Sequence, residues 1–349
     1  YGILVLFGVV VVVFFLFNVL PGDPARMMLG QRADSASVVA INKDLGRDKP
    51  LAMQFLNYLN DLSPVSLHNT TSSESFWFLD PAKYGKTFEM ISFGNASLVL
   101  KEPYLRRSYQ SKRNVSDILT EGFVNTIILA LVAMAFAIII GIAVGIVCAI
   151  YKNSFIDRAA LVFSVLGMSL PSFFVAILNA WIFAFVLVRF TGLNMSGSFY
   201  GVDDFGRGAF LDLKNLILPA ITLGIRPLAI IVELTRNSLL EVMTQDYIRT
   251  ARAKGLSKPR VILKHALKNA LNPVVTAISG WLASLLAGAV FVEFVFDWKG
   301  IGVVIVNALD KYDFPVVMGA VLFISIILII INFFVDIIYG LLDPRIRLQ

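Results

Sequence analysis

The chain alternates long apolar runs with shorter polar connections. Six runs approach or exceed the roughly 20 residues that cross a hydrocarbon core as helix: Tyr1–Leu20, Gly122–Ile150, Ala159–Phe190, Leu213–Thr235, Pro273–Phe296 and Pro315–Leu341. They lack the alternation, in segments of about ten residues, that marks a membrane barrel. The pattern predicts an all-α polytopic membrane protein with six transmembrane helices. Tyr1–Leu20 reads as a first span and not as a signal peptide, because its apolar run exceeds the usual core of about 7–15 residues. A turn signal, Pro21-Gly22-Asp23-Pro24, follows it instead of a small-residue cleavage site. Pro171 in the third span and Pro219 and Pro227 in the fourth predict kinks or breaks. A bilayer tolerates these only where protein or a water-lined path satisfies the freed backbone.

The connections set orientation. Arg236–Asn272 carries Arg236, Arg249, Arg252, Lys254, Lys258, Arg260, Lys264 and Lys268 against Glu241 and Asp246. Thr191–Asp212 and Asp297–Phe314 are neutral to acidic, with Asp203, Asp204, Asp212, Asp297, Asp310 and Asp313. The positive-inside rule places the basic loop (236–272) and the tail Asp343-Pro-Arg345-Ile-Arg347 in the cytoplasm, and six spans put the N-terminus there too. The expected organisation is a first helix at 1–20, an extracytoplasmic subdomain at 21–117 and a five-helix core at 118–349. Within the subdomain, Ser35–Leu45 and Pro50–Leu62 look helical, and the Ser/Thr/Asn-rich stretch Ser63–Ser75 looks irregular.

Composition agrees with a membrane setting: 57% of residues are hydrophobic and 15% charged, against about 25% charged in soluble proteins. The formal charge of +6 needs no nucleic acid, because membrane proteins gather Lys and Arg on the cytoplasmic side. One cysteine, Cys148, excludes an intramolecular disulfide and reads as a small buried hydrophobe.

The basic loop is the most informative polar segment. Ser238-Leu-Leu-Glu241 fits a capping box, predicting a helix to about Lys254 that stops at Gly255, a residue suited to a left-handed C-terminal turn. Ser257 can cap a second helix with Pro259 in its first turn, and Pro273 starts the next span. By periodicity alone the pair could lie on anionic lipid or dock a soluble partner. Helix-turn-helix DNA binding fails, because both ends run into membrane helices within a few residues.

Here the residues resemble a family. The loop is similar to the "EAA" loop of binding-protein-dependent ABC importer permeases, specifically the first permease subunit of the dipeptide/oligopeptide (and nickel) group. Arg249-Thr250-Ala251 stands where other importers carry Glu-Ala-Ala, six positions before Gly255, and His265-Ala-Leu-Lys-Asn-Ala-Leu-Asn-Pro273 closes the loop as in the peptide group. Asn18-Val-Leu-Pro-Gly-Asp-Pro24, Leu216-Ile-Leu-Pro-Ala-Ile-Thr-Leu223, Glu293-Phe-Val-Phe-Asp-Trp298-Lys-Gly300-Ile-Gly302 with Asp313-Phe-Pro315, and Asn332–Arg347 resemble other parts of the same family. The resemblance covers the first span and nearly everything after Ser116. It does not extend over about Ser63–Arg113, where the chain is longer than the family leads one to expect.

What the resemblance implies is the type I ABC importer permease fold and a half-channel that pairs with a second homologous permease. Two ATPase subunits, holding ATP and Mg, would act on the coupling loop, and an extracytoplasmic solute-binding protein would deliver the peptide substrate. The chain would lie in the bacterial inner membrane, with no cofactor and no catalysis of its own. The implied docking residues are Asp246, Tyr247, Ile248, Arg249, Thr250, Ala251, Arg252, Ala253, Lys254, Gly255 as the turn, and Leu256. Of these, Tyr247, Ile248 and Ala251 are the ones suited to an apolar groove. Cargo could be dipeptide, longer oligopeptide, a nickel chelate or another peptide-like solute. The alternative to this reading is a self-standing channel or secondary transporter without an ATPase, but such transporters are commonly built from internal repeats, and none is visible in the sequence.

Enzymatic readings lack parts. The sequence has no Gly-x-x-x-x-Gly-Lys-Ser/Thr loop to hold nucleotide phosphates. Gly167-Met-Ser169 lacks the second glycine of a serine-hydrolase elbow, since Pro171 occupies that place. No metal-binding motif occurs, and His68 and His265 fall on opposite sides of the membrane. Arg226, near mid-depth in the fourth span, costs at least about 2.5 kcal/mol there. It either lines the translocation path, meeting peptide carboxylates, or pairs with an acidic group or the second permease. Glu233, one face with Arg226 and one turn before Arg236, belongs at the inner interface.

Overall fold

The computed structural model describes residues 2–19, 48–71, 77–202 and 209–342, with isolated positions at 36, 38, 39, 42 and 75. The turn at 21–24, most of the predicted helix Ser35–Leu45, Asp203, Asp204 and the basic tail from Asp343 lie outside the described residues. Helix α1 is Gly2–Val19 and α2 is Leu51–Leu62. Strands β1 (Val65–Asn69), β2 (Thr87–Phe93) and β3 (Ala96–Lys101) follow. Next come α3 (Val115–Ile150), α4 (Phe155–Ser169) and α5 (Ser172–Asn179), the last continuing π-wound over Ala180–Val186. A short hairpin of β4 (Tyr200–Val202) and β5 (Ala209–Leu211) precedes α6 (Lys214–Val242) and α7 (Asp246–Ala253). The chain ends with α8 (Asn272–Gly288), α9 (Val290–Phe296), α10 (Ile301–Asp310) and α11 (Phe314–Leu342).

Three of these helices, α3, α6 and α11, are long and apolar enough to cross a membrane, and the bent pairs α4–α5 and α8–α9 bring the count to five among the described residues. At 18 residues, α1 is shorter, about 27 Å at 1.5 Å per residue. These elements fall where the six runs predicted them. The break at Pro171 is real: α4 and the following helix meet at 114°. Proline disfavours the helical region for the residue before it, and Leu170 is extended, with φ −78° and ψ 138°. No break occurs at Pro219 or Pro227. Instead α6 runs as one helix through both, its proline-bearing face buried among neighbours, as is usual where packing re-satisfies the backbone.

The chain forms two compact units, residues 1–121 with 304–326, and 122–303 with 327–349. In the first unit, Val10, Val13 and Phe14 of α1 pack with Tyr58 of α2 and with Met318 and Leu322 of α11. Val115 and Leu119 pack with Ala308, Val316, Val317 and Ala320. Asp313, buried before α11, accepts hydrogen bonds from Ser108 Oγ at 2.5 Å, Tyr109 N at 2.9 Å and Gln110 N at 3.3 Å.

The subdomain between the first two spans is not irregular in the middle. It carries a three-stranded antiparallel sheet in the order β1-β3-β2, and β1 occupies part of the stretch expected to be irregular. The sheet inverts the usual pattern. Its buried face presents Ser66, His68, Ser97 and Lys101 beside Val99, while Val65, Leu67, Phe88, Ile91, Phe93 and Leu100 stay exposed. The buried polar groups are paired. Asp61 accepts from Lys83 Nζ at 2.9 Å and Tyr84 Oη at 2.7 Å, and its carbonyl accepts from Lys101 Nζ at 2.7 Å. Burial pushes the Lys101 amine down to about 8, with Asp61 opposing the shift. Burial, helped by Lys101, lowers His68, and burial with Asp61 beside it raises Tyr84.

Candidate functional site: the coupling loop and an arginine-lined cavity

Both sites lie in the second unit. Helix α7 does not start at Ser238. Residue Ser238 sits inside α6, which continues to Val242, and a turn over 243–245 separates it from α7 at Asp246. The Ser-Leu-Leu-Glu spacing was met, but an N-cap needs a non-helical backbone at the serine, and Leu239 is 1% exposed in a packed cluster that holds the helix together. The end of α7 is as read: Lys254 caps it and Gly255 turns with φ +76°, a conformation glycine takes without the steric cost of a side chain. Ser257 stands at the cap of the next helical segment, Lys258–Arg260, but its side chain makes no capping hydrogen bond. That segment continues π-wound over Val261–Ala266 and as α-helix over Leu267–Ala270.

The loop folds on itself. Ile248 and Ala251 are buried with Leu239, Val261, Ile262, Ala266 and Ala270. The loop's second helical segment covers their apolar side within this chain. Leu256 is half-buried in the same cluster. What stays exposed is Asp246, Tyr247, Arg249, Thr250, Arg252, Ala253 and Lys254. Tyr247 is steadied by Asn269, whose Nδ2 donates to the phenol oxygen at 2.8 Å. The result is a short helix with a filled apolar face and an outward face rich in cations and hydroxyls.

The loop is tied to the spans through α6. Near its end, Arg236 donates Nε to Asp157 Oδ1 at 2.5 Å and Nη2 to Oδ2 at 2.8 Å. Asp157 is buried in the first turn of α4, where it also accepts from Asn153 N at 2.8 Å. Arg236 therefore answers to α4 and not to Glu233, which is exposed. The sequence reading missed Asp157. An acid in the first turn after a Ser cap looks like a dipole partner for its own helix.

Arg226 lines a cavity of about 320 Å³ with Leu170, Ser172, Thr222, Trp281, Ser284, Leu285 and Phe291 among others. It sits where both bent pairs, α4–α5 and α8–α9, meet α6. Its Nη2 donates to the Leu170 carbonyl at 3.1 Å, while Nε is buried without a partner. Thr222 Oγ1 is taken up by Asn179 Nδ2 at 2.9 Å. Of the two readings of Arg226, the structural partner is thus a backbone carbonyl at the Pro171 break and not an acidic group.

The motif Glu293–Gly302 is a folded hub. Glu293 is fully buried and accepts from Thr126 Oγ1 at 2.7 Å and Gly302 N at 2.6 Å. Buried Trp298 donates Nε1 to the Asn125 carbonyl at 3.0 Å. A side chain at Gly302 would collide with the Val290 backbone. Among the described residues no cluster of metal-ligating side chains occurs.

Comparison with known proteins decides the family. Residues 141–348 match the model described as "Binding-protein-dependent transport system inner membrane component", and residues 1–74 match its N-terminal companion. The chain belongs to this family of inner membrane transport components. The permease is 35% identical over 358 residues to the di/tripeptide transport system permease protein DppB of Pseudomonas aeruginosa, covering 98% of this chain and 95% of that one. It is 34% identical over 364 residues to the dipeptide permease DppB of Escherichia coli K12, with 97% and 94% covered. It is also 34% identical over 339 residues to the glutathione permease GsiC of Pectobacterium atrosepticum, again with 97% and 94% covered. The two family models leave residues 75–140 unmatched, which takes in most of the stretch where the resemblance gave out. In fold the permease resembles an inward-facing structure of the MetNI methionine ABC transporter, with a TM-score of 0.50, 19% identity, and coverage of 65% of this chain and 96% of that one.

Proposed function

We propose that this permease is one half of the membrane pathway of an ATP-driven importer of short peptides, and that Asp246–Leu256 is the loop through which a separate ATPase acts on it. The relatives named for di- and tripeptides, dipeptides and glutathione supply the cargo class. The observation that carries the coupling role is the build of α7. Its apolar side is filled from within by 261–270, leaving Tyr247, Arg249, Thr250, Arg252 and Lys254 outward. A helix packed this way keeps its shape when pushed and offers a polar, cationic face to a soluble partner. A second homologous permease completes the pathway, two ATPase subunits bind ATP and Mg, and a solute-binding protein delivers cargo to the outer side. The basic loop and both termini face the cytoplasm, and residues 21–117 face out. Arg226 lines the path.

Co-purification of the tagged permease from its native membrane, with subunits identified by mass spectrometry, tests the assembly. Recovery of a second permease and ATPase chains is expected, with only the ATPase lost from Gly255→Val. Recovery of the permease alone in mild detergent would replace this reading with a self-standing transporter.

A further inference from the structure

We infer that the Arg226 cavity is a binding subsite for the C-terminal residue of a peptide in transit, with the terminal carboxylate on the guanidinium and the last side chain against Trp281, Leu285 and Phe291. The inference rests on the importer reading above and adds which end of the cargo this subunit recognises.

Three observations carry it. The first is size and shape: about 320 Å³ lies at the lower end of the roughly 300–1,000 Å³ spanned by small-ligand sites, enough for one amino-acid residue and its peptide link. The second is an unspent donor. A guanidinium has five N–H donors and no acceptor. Here Nη2 is given to the Leu170 carbonyl at 3.1 Å, while buried Nε has no partner. Buried polar atoms are nearly always satisfied, so a guanidinium that lines a cavity with most of its N–H groups ungiven marks a place where an acceptor binds. A carboxylate suits it best, because the planar fork of arginine matches two carboxylate oxygens and the bond is charge-assisted. The third is the rest of the lining. Trp281, Leu285, Val290 and Phe291 form an apolar wall beside the hydroxyls of Ser172 and Ser284, which fits a side chain on one side and a peptide link on the other.

The Leu170 bond has a second effect. It fixes the guanidinium from one edge, so the arginine is held in place before cargo arrives and less freedom is lost on binding. A terminal carboxylate and the side-chain carboxylate of Asp or Glu share this chemistry, and the probes must separate them.

The test uses the complete importer in proteoliposomes with its binding protein, comparing Ala-Phe, its amide Ala-Phe-NH2, and Glu-Phe-NH2. The binding protein's own preference is common to wild type and variant and cancels when the acid-to-amide uptake ratio is compared between them. For Arg226→Gln that ratio should fall about tenfold or more, the weight of one charge-assisted hydrogen bond, and Arg226→Lys should fall between. A fall confined to Glu-Phe-NH2 would assign the arginine to acidic side chains, and equal loss of all probes would leave it a strut for the Pro171 break. Either result overturns the inference. Should Arg226→Gln fail to assemble, Trp281→Ala decides: the KM for Ala-Phe should rise relative to that for Ala-Gly, and an unchanged ratio overturns the subsite. Co-purification of the ATPase with each variant keeps the two questions apart, since an assembled importer with an unchanged ratio rejects the subsite alone.

Discussion

Arg236 grips Asp157 with two nitrogens, at 2.5 and 2.8 Å, across 79 residues of chain. Both side chains are largely out of water, 14% and 2% exposed. Removing one partner leaves a buried charge without its counter-charge, which typically costs about 3–5 kcal/mol. Asp157→Asn or Arg236→Gln should therefore lower the melting temperature of the purified importer. The paired apolar replacement Asp157→Leu with Arg236→Met should recover most of that loss. A double variant that loses the sum of the two single losses would show that the two side chains matter separately.

Helix α7 should split by face. Ile248→Ala removes a fully buried side chain and should cost about 2–5 kcal/mol, read as early unfolding of the permease. Arg249→Ala and Arg252→Ala, both on the exposed face, should leave thermal stability within about 0.5 kcal/mol while reducing ATPase recovery in pull-downs. Equal effects from the two sets would contradict the division between inner core and outer docking face.

Around Glu293 the tolerance is narrow. Gly302→Ala must displace the Val290 backbone and should abolish accumulation of folded permease in the membrane. Thr126→Val, which removes the hydroxyl bound to Glu293 at 2.7 Å, should cost about 1–3 kcal/mol and still fold. Immunoblots of membrane fractions, followed by melting curves, would separate the two outcomes.

The subdomain between the first two spans should gain stability as pH rises from about 8 to 10. Lys101 has a folded pKa of about 8 against an ordinary 10.5, so between those values the unfolded chain binds more protons, and stability climbs with pH. Below 8 the full penalty for burying the cation is present. Above about 10 the trend reverses, because buried Tyr58 and Tyr84 have raised pKa values and resist ionisation. Amide protection over 48–114, corrected for intrinsic exchange, should show this rise in the wild type and lose it in Lys101→Met.

The spans and the Pro171 break were readable because both are local. An apolar run of fixed length declares a helix, and a proline constrains the residue before it. The turn at Gly255 was readable for the same reason. What escaped depended on distant chain. Ser238 carried a cap signature, yet the burial of Leu239 against 261–270 kept α6 helical through it. The sheet at 65–101 was hidden by its inverted pattern, since polar Ser66 and His68 face inward and apolar Val65 and Leu67 outward. Ile248 and Ala251 could be recognised as one apolar face, but not what covered it. Asp157 carried a local signal that pointed to its own helix, because its partner comes 79 residues later.

Two guanidiniums of one helix hold both ends of another. Arg236 takes Asp157 in the first turn of α4, and Arg226 takes the carbonyl of Leu170 just past its last. The two arginines stand ten positions apart, about 15 Å along α6, so α4 is tied to α6 at two points like a rung. On the proposed coupling role, a push received at the turn 243–245 would reach α4 through both contacts, and with it the Leu170 edge of the Arg226 cavity.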